Sequence, residues 1–154
     1  MIPIAEFLPP EHVHLDLPAL KLARAIERIA EPLRRHPAVL DWERLVKGLC
    51  GAAPCVAPDG ADFVIAIPHA RTDAVSEMVM CVGRSEAGIR APGDAPAVRY
   101  VFCFGVPAAM AQDYLRIVGL LTRLMKEEGA EQELRTAASA EEFIATLARL
   151  EARL

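Results

Sequence analysis

Phe63-Val64-Ile65-Ala66-Ile67-Pro68-His69-Ala70-Arg71 is the stretch on which the reading of this chain turns. Phe63 to Ile67 is an unbroken apolar run. Such a run predicts a strand buried on both faces, because a half-exposed strand would alternate apolar and polar residues. Pro68 brings no backbone N–H, so it is expected to stop the strand and turn the chain outward. Met78–Val82 and Arg99–Val106 read the same way, with Ala91-Pro92-Gly93-Asp94-Ala95-Pro96 as a turn between them. The three runs are expected side by side in the interior of one sheet.

Helical spacing surrounds these strands. After a short strand over Val13–Leu17, Asp16 precedes Pro18, a residue suited to a first helical turn. Leu22, Ile26, Ile29 and Leu33 then form one apolar face, with Pro32 placed to kink or end the helix. Asp41 is positioned to cap a helix whose face is Trp42, Leu45, Val46 and Leu49. Residues 51–62, with Pro58-Asp59-Gly60, read as a loop. Tyr114, Ile117, Val118, Leu121 and Met125 mark a broad apolar helix, and Ala130–Ala137 a short one. Ser139-Ala140-Glu141-Glu142 is a capping-box pattern ahead of Phe143, Leu147, Leu150 and Leu154. Strands alternating with helices make an α/β fold, and no linker or repeat divides residues 1–154, so one domain is expected.

Composition narrows the function classes. Hydrophobic residues make up 53% of the 154 residues while aromatics are only 5%, so Ala, Val, Leu and Ile must build the core. The net charge of −4 comes without a basic block, which excludes nucleic acid as an expected partner. Met1 to Pro10 carries Glu6 and two closing prolines, unlike a signal peptide. No apolar run approaches the roughly 18 residues of a membrane span, so the chain reads as cytoplasmic and not membrane-embedded. Cys50, Cys55, Cys81 and Cys103 form no Cys-x-x-Cys pair and read as reduced, mostly buried thiols.

Chemistry concentrates at His69. A strand end in an open α/β sheet is a favoured place for functional groups. Imidazole is largely neutral and nucleophilic at pH 7, and can take a phosphoryl group if its other nitrogen is held by an acceptor. Arg71, two residues on, can pair with phosphate oxygens. No nucleotide-type glycine loop is present, so ATP is not the expected donor, and no cofactor is expected.

Ala66-Ile67-Pro68-His69-Ala70-Arg71 resembles the signature around the phosphorylated histidine of fructose/mannitol-type IIA domains of the bacterial sugar phosphotransferase system (PTS), a family that includes nitrogen-regulatory IIA-like proteins. The likeness continues through Gly88-Ile89 to Pro96-Ala97-Val98, through Tyr114-Leu115 with Val118 and Leu121, and into Ala137 to Glu142, covering about Val13 to Leu150. It implies a mixed central sheet of about four or five strands flanked by helices on both faces. It also implies a phosphocarrier that accepts phosphate on His69 from an HPr-like phosphocarrier protein. The phosphate would pass to a IIB domain or serve as a regulatory mark on a partner. Arg71, Tyr114 and Arg116 would support the phosphate, Tyr114 standing where the family carries a second histidine.

The chain departs from that pattern in ways that bear on function. Ala53-Pro54 stands where the family has an Arg-Glu pair, and Asp59 to Val64 replaces a glycine-rich loop. A cation is lost, and Asp59 and Asp62 are expected to approach a site meant for a dianion. A degenerate, non-catalytic regulatory module with the same fold is therefore the alternative reading. Elsewhere, His12 and His14 fall on one face of a possible strand and read as exposed residues lacking a third metal ligand. His36 at a helix end complements the macrodipole.

Overall fold

The computed structural model describes residues 2–58, 60–93 and 96–154. Six strands form one mixed sheet: β1 Val13–His14, β2 Cys55–Val56, β3 Val64–Ala66, β4 His69–Arg71, β5 Val79–Ile89 and β6 Val98–Val106. Their order is β1-β5-β6-β3-β2, with β4 also paired to β6. β5 and β6 are antiparallel; β1 runs parallel to β5, and β3 and β4 run parallel to β6. The three apolar runs thus lie adjacent in the sheet interior.

The sheet is covered on both sides. From β6, Tyr100, Phe102, Phe104 and Val106 enter one core cluster, while Val101 and Cys103 enter the other. α1 (Leu22–Ala30) and α2 (Trp42–Gly51) cover the second face. α3 (Ala111–Leu124), α4 (Ala130–Thr136) and α5 (Ala140–Ala152) cover the first. Gly83 shows how close this packing is: a Cβ there would stand 2.5 Å from side-chain carbons of both Leu17 and Ile29.

Several boundaries differ from the sequence reading, each for a local reason. Pro68 does not end the pairing; its carbonyl accepts from Phe104 N at 2.9 Å, and the chain rejoins β6 as β4. Proline removes only a donor, so the ladder toward β6 survives. β2, inside the segment read as loop, pairs antiparallel with β3. β5 runs on past Val82 because its polar residues find partners. Ser85 Oγ, for example, donates to Leu17 O at 2.8 Å and accepts from Gly88 N at 3.0 Å. α1 begins at Leu22 rather than near Pro18, since Leu20 O and Leu22 N are both bonded to Arg90. It gives way to a 3₁₀ turn, Glu31–Arg35, with Pro32 in its first turn.

Both predicted caps are present: Asp41 accepts from Arg44 N and Ser139 from Glu142 N, each at 3.1 Å. Glu142 answers to Ala138 N, one residue before the cap itself, at 3.0 Å. Cys81 and Cys103 face each other across β5 and β6, buried; Cys50 and Cys55 are exposed, contrary to the expectation of mostly buried thiols. Among the described residues no helix is long and apolar enough to cross a membrane.

The histidines near β1 also differ. His12 lies in a 3₁₀ turn, buried, with Nδ1 donating to Met80 O at 3.0 Å, and His14 is half-buried. Burial holds both imidazoles below the ordinary histidine pKa. The unfolded chain therefore binds protons that the folded chain refuses. Stability is expected to be level above about pH 6.5 and to fall as pH drops from there through the lowered folded values. Urea midpoints between pH 7.5 and 5 check this; His12→Gln should flatten the fall, and an unchanged slope would remove His12 as a cause.

Candidate functional site

His69 sits at the start of β4, held on both sides. Its backbone N donates to Ala52 O at 2.9 Å, and the next positions pair with β6. Ala70, the following residue, is buried against α2, where a Cβ on Gly48 would come within 2.8 Å of the Ala70 methyl. The half-buried His69 ring turns back on its own chain, with Nδ1 3.1 Å from Ile67 O. A carbonyl only accepts, so Nδ1 carries the proton and Nε2 carries the lone pair.

The ring lines a small depression of about 230 Å³ with Arg71, Val106, Ala111, Tyr114 and Leu115. Tyr114 lies beside it, ring centroids 5.3 Å apart, and is itself edge-on to Phe104 at 5.3 Å. Burial raises the Tyr114 phenol pKa, so the hydroxyl remains a donor at neutral pH. α3 starts at Ala111 on the pocket wall, which brings the positive end of its macrodipole there. The arrangement can bring an anionic group up to Nε2, with one guanidinium, one phenol and a helix start around it.

Arg116, read from sequence as part of this constellation, is placed elsewhere. Its guanidinium donates to Ile2 O at 2.6 Å, and it does not line the depression. Two residues along a helix is more than half a turn, so Arg116 and Tyr114 cannot share a face. Asp62 does not approach His69 either. It pairs with Arg99 at 3.6 Å, and Arg99 also binds Glu131 at 2.7 Å. Arg99 is five residues before Phe104, the partner of His69, or roughly 16 Å along β6. Asp59 lies outside the described residues. Leu115, with 66% of its surface exposed on the pocket rim, is part of the family-like Tyr114-Leu115 motif but carries no site role in the sequence reading, because an apolar residue in an amphipathic helix reads as core.

Residues 6–150 match the family described as "Phosphoenolpyruvate-dependent sugar phosphotransferase system, EIIA 2". The chain belongs to this EIIA family. A fructose-specific EIIA component of the PTS from Haloferax volcanii is 41% identical over 85 residues, 54% of each chain. The match thus spans about half the length of that relative. Among solved structures, the nitrogen regulatory protein IIA-Ntr of Neisseria meningitidis superposes with a TM-score of 0.77 at 24% identity, covering 94% of this chain and 98% of that one. The mannitol IIA enzyme of Escherichia coli, in complex with phosphorylated IIB, superposes at 0.72 with 18% identity, covering 92% and 97%. At these identities the structural likeness establishes the fold, and it places this EIIA chain's mixed sheet and two helical layers among the IIA domains.

The segment that departs from the family pattern lies against the histidine. Ala52 O and Pro54 O accept from His69 N and Ile67 N, each at 2.9 Å, and Ala53 between them is half-buried. The Ala53 side chain itself packs with the α1–α2 side of the sheet, as Ala66 and Ala70 do, so it starts on the face away from the His69 ring.

Proposed function

We propose that this EIIA protein is a phosphocarrier that accepts a phosphoryl group on His69 Nε2 from an HPr-like protein. It then hands the group to a IIB domain or uses it as a regulatory mark. The observation that carries the reading is the bond between His69 Nδ1 and Ile67 O, which leaves Nε2 as the lone-pair nitrogen in a pocket open to a partner.

The Nε2 lone pair attacks phosphorus while the donor's phosphorus–nitrogen bond breaks, its electron pair staying on the donor nitrogen. The Nδ1 proton remains on the ring throughout, and the Ile67 carbonyl stabilises the positive charge that the phosphorylated ring acquires. Arg71, the Tyr114 hydroxyl and the start of α3 supply positive potential for the phosphoryl oxygens. The exposed Leu115 gives the rim an apolar contact for the partner. Its occupant in the cell, a sugar-specific IIB or a regulatory protein, is set by surface outside the pocket.

Incubation with phosphoenolpyruvate, its PTS kinase and HPr tests the proposal: one acid-labile, base-stable phosphate per chain is expected. No labelling, under conditions where another IIA domain is labelled, would favour a module that binds partners without carrying phosphate. The feature favouring that second reading is Ala53-Pro54, which stands where the family has an Arg-Glu pair and adds no cation to the pocket lining.

A further inference from the structure

The other three histidines of the chain, His12, His14 and His36, meet in a second, open cleft of about 690 Å³ between β1 and the turn that ends α1. The rings of His12 and His36 are 5.6 Å apart. The family reading gives this cleft no role, and it does not contain His69. His12 bonds Met80 O, Met80 pairs with Phe104, and Phe104 pairs with His69. Three strand spacings therefore separate the sites, roughly 15 Å.

Hydrogen bonds fix what the His12 and His36 rings offer. His12 Nδ1 donates to the Met80 carbonyl, so its Nε2 is an acceptor when neutral. His36 is the reverse: its Nδ1 accepts from Ala38 N at 3.0 Å, so its proton is on Nε2. His14 also lines the cleft, but its Nε2 is shut off from it, buried and, among the described residues, without a hydrogen-bond partner. Arg28 and Arg35 line the cleft too, and among the described residues neither forms an ion pair. The facing carboxylates are Glu11 and Glu31, and Glu31 is already held by Arg34 at 3.1 Å and 3.4 Å.

A metal ion would want lone pairs from all three rings, and His36 offers a proton instead. Among the described residues no group of His, Cys, Asp and Glu is arranged to hold one. Two guanidinium groups and a ring N–H call for an oxyanion, while the His12 acceptor calls for a donor on the same ligand. Monohydrogen phosphate has both, and so does a phosphoryl head next to a hydroxyl; sulfate at neutral pH has no proton to give. We infer that the cleft formed by His12, His14, Arg28, Arg35 and His36 binds phosphate or a small hydroxylated phosphate ester, independently of the phosphoacceptor site.

Long-range proton–nitrogen NMR of the imidazoles, with inorganic phosphate titrated at constant ionic strength and pH 7, tests this on the whole chain carrying His69→Ala. His12 and His36 Nε2 signals should shift together and saturate below about 10 mM, an ordinary affinity for a small anion. The additional double substitution Arg28→Gln, Arg35→Gln should weaken binding about 10- to 100-fold, the worth of charge-assisted bonds lost. Sulfate should bind more weakly than phosphate, and glycerol 3-phosphate at least as well if an ester is the natural occupant. Shifts that need an intact His69, or sulfate binding as tightly as phosphate, would overturn the assignment. So would affinity unaltered by the two arginine changes. Because His69 is absent from the test protein, these results do not depend on whether His69 carries phosphate.

Discussion

His69→Ala is expected to reduce phosphoryl labelling to background, the largest functional effect of any single change here. The proposed carrier step needs a nitrogen lone pair, held in place, at the mouth of the pocket. His69 Nε2 supplies it because Nδ1 is tied to Ile67 O. Tyr114 can shape the pocket and donate a hydrogen bond, but its raised pKa keeps the phenol protonated and a poor nucleophile. The half-buried His36, in a different cleft, cannot substitute, since its Nδ1 is occupied by Ala38 N and its Nε2 holds the proton. Tyr114→Phe should by contrast keep labelling and slow it by about tenfold, the loss of one donor to an anion. The two variants together separate the group that carries phosphate from a group that stabilises it. Residual labelling in His69→Ala, mapped to another residue by mass spectrometry, would move the acceptor elsewhere.

How far these features are legible in sequence follows from how local their causes are. Phe63–Ile67, Met78–Val82 and Arg99–Val106 announce themselves, because a strand buried on both faces must be apolar throughout. β4 does not. Its pairing depends on the Pro68 carbonyl meeting Phe104 N, an event of the sheet rather than of the segment. β2 is two residues long and is defined only by its neighbour β3. The two helix caps are readable because donor and acceptor are three residues apart. At the site, the motif from Ala66 to Arg71 places His69 and Arg71 at the same pocket, and Tyr114 arrives there from α3. Arg116 looked equally eligible only because nearness in sequence ignores that a helix turns about 100° per residue. The pairing of Asp62 with Arg99 joins two elements and leaves no local trace. His12 and His14 alternate like exposed strand residues, yet the turn before β1 buries His12 under a bond to Met80.

Arg84 is the feature least visible in the sequence and the one whose loss should cost the fold most. It follows the apolar run of β5, where a charged residue suggests a strand end leaving the core. Instead only 9% of its surface is exposed. Its guanidinium donates to Leu134 O and Ala137 O, each at 2.8 Å, and to Leu15 O at 3.3 Å. Leu134 and Ala137 lie at the C-terminal end of α4, where carbonyls lack helical partners and the macrodipole is negative. One side chain thereby ties the N-terminal segment, β5 and the α4–α5 junction together. Among the described residues it forms no ion pair, so the tie is made of hydrogen bonds to neutral carbonyls and should be little affected by salt. Arg84→Ala leaves those carbonyls without their donor and is expected to cost about 3 kcal/mol, a fall in Tm of roughly 10 °C. Arg84→Met keeps most of the packing while removing the donors, so it isolates the hydrogen bonds. The Met variant should lose most of the same stability, and hydrogen exchange should quicken first at the α4–α5 junction. A Met variant as stable as the parent would mean that burying the charge costs as much as its bonds return, as happens for some buried ionic groups.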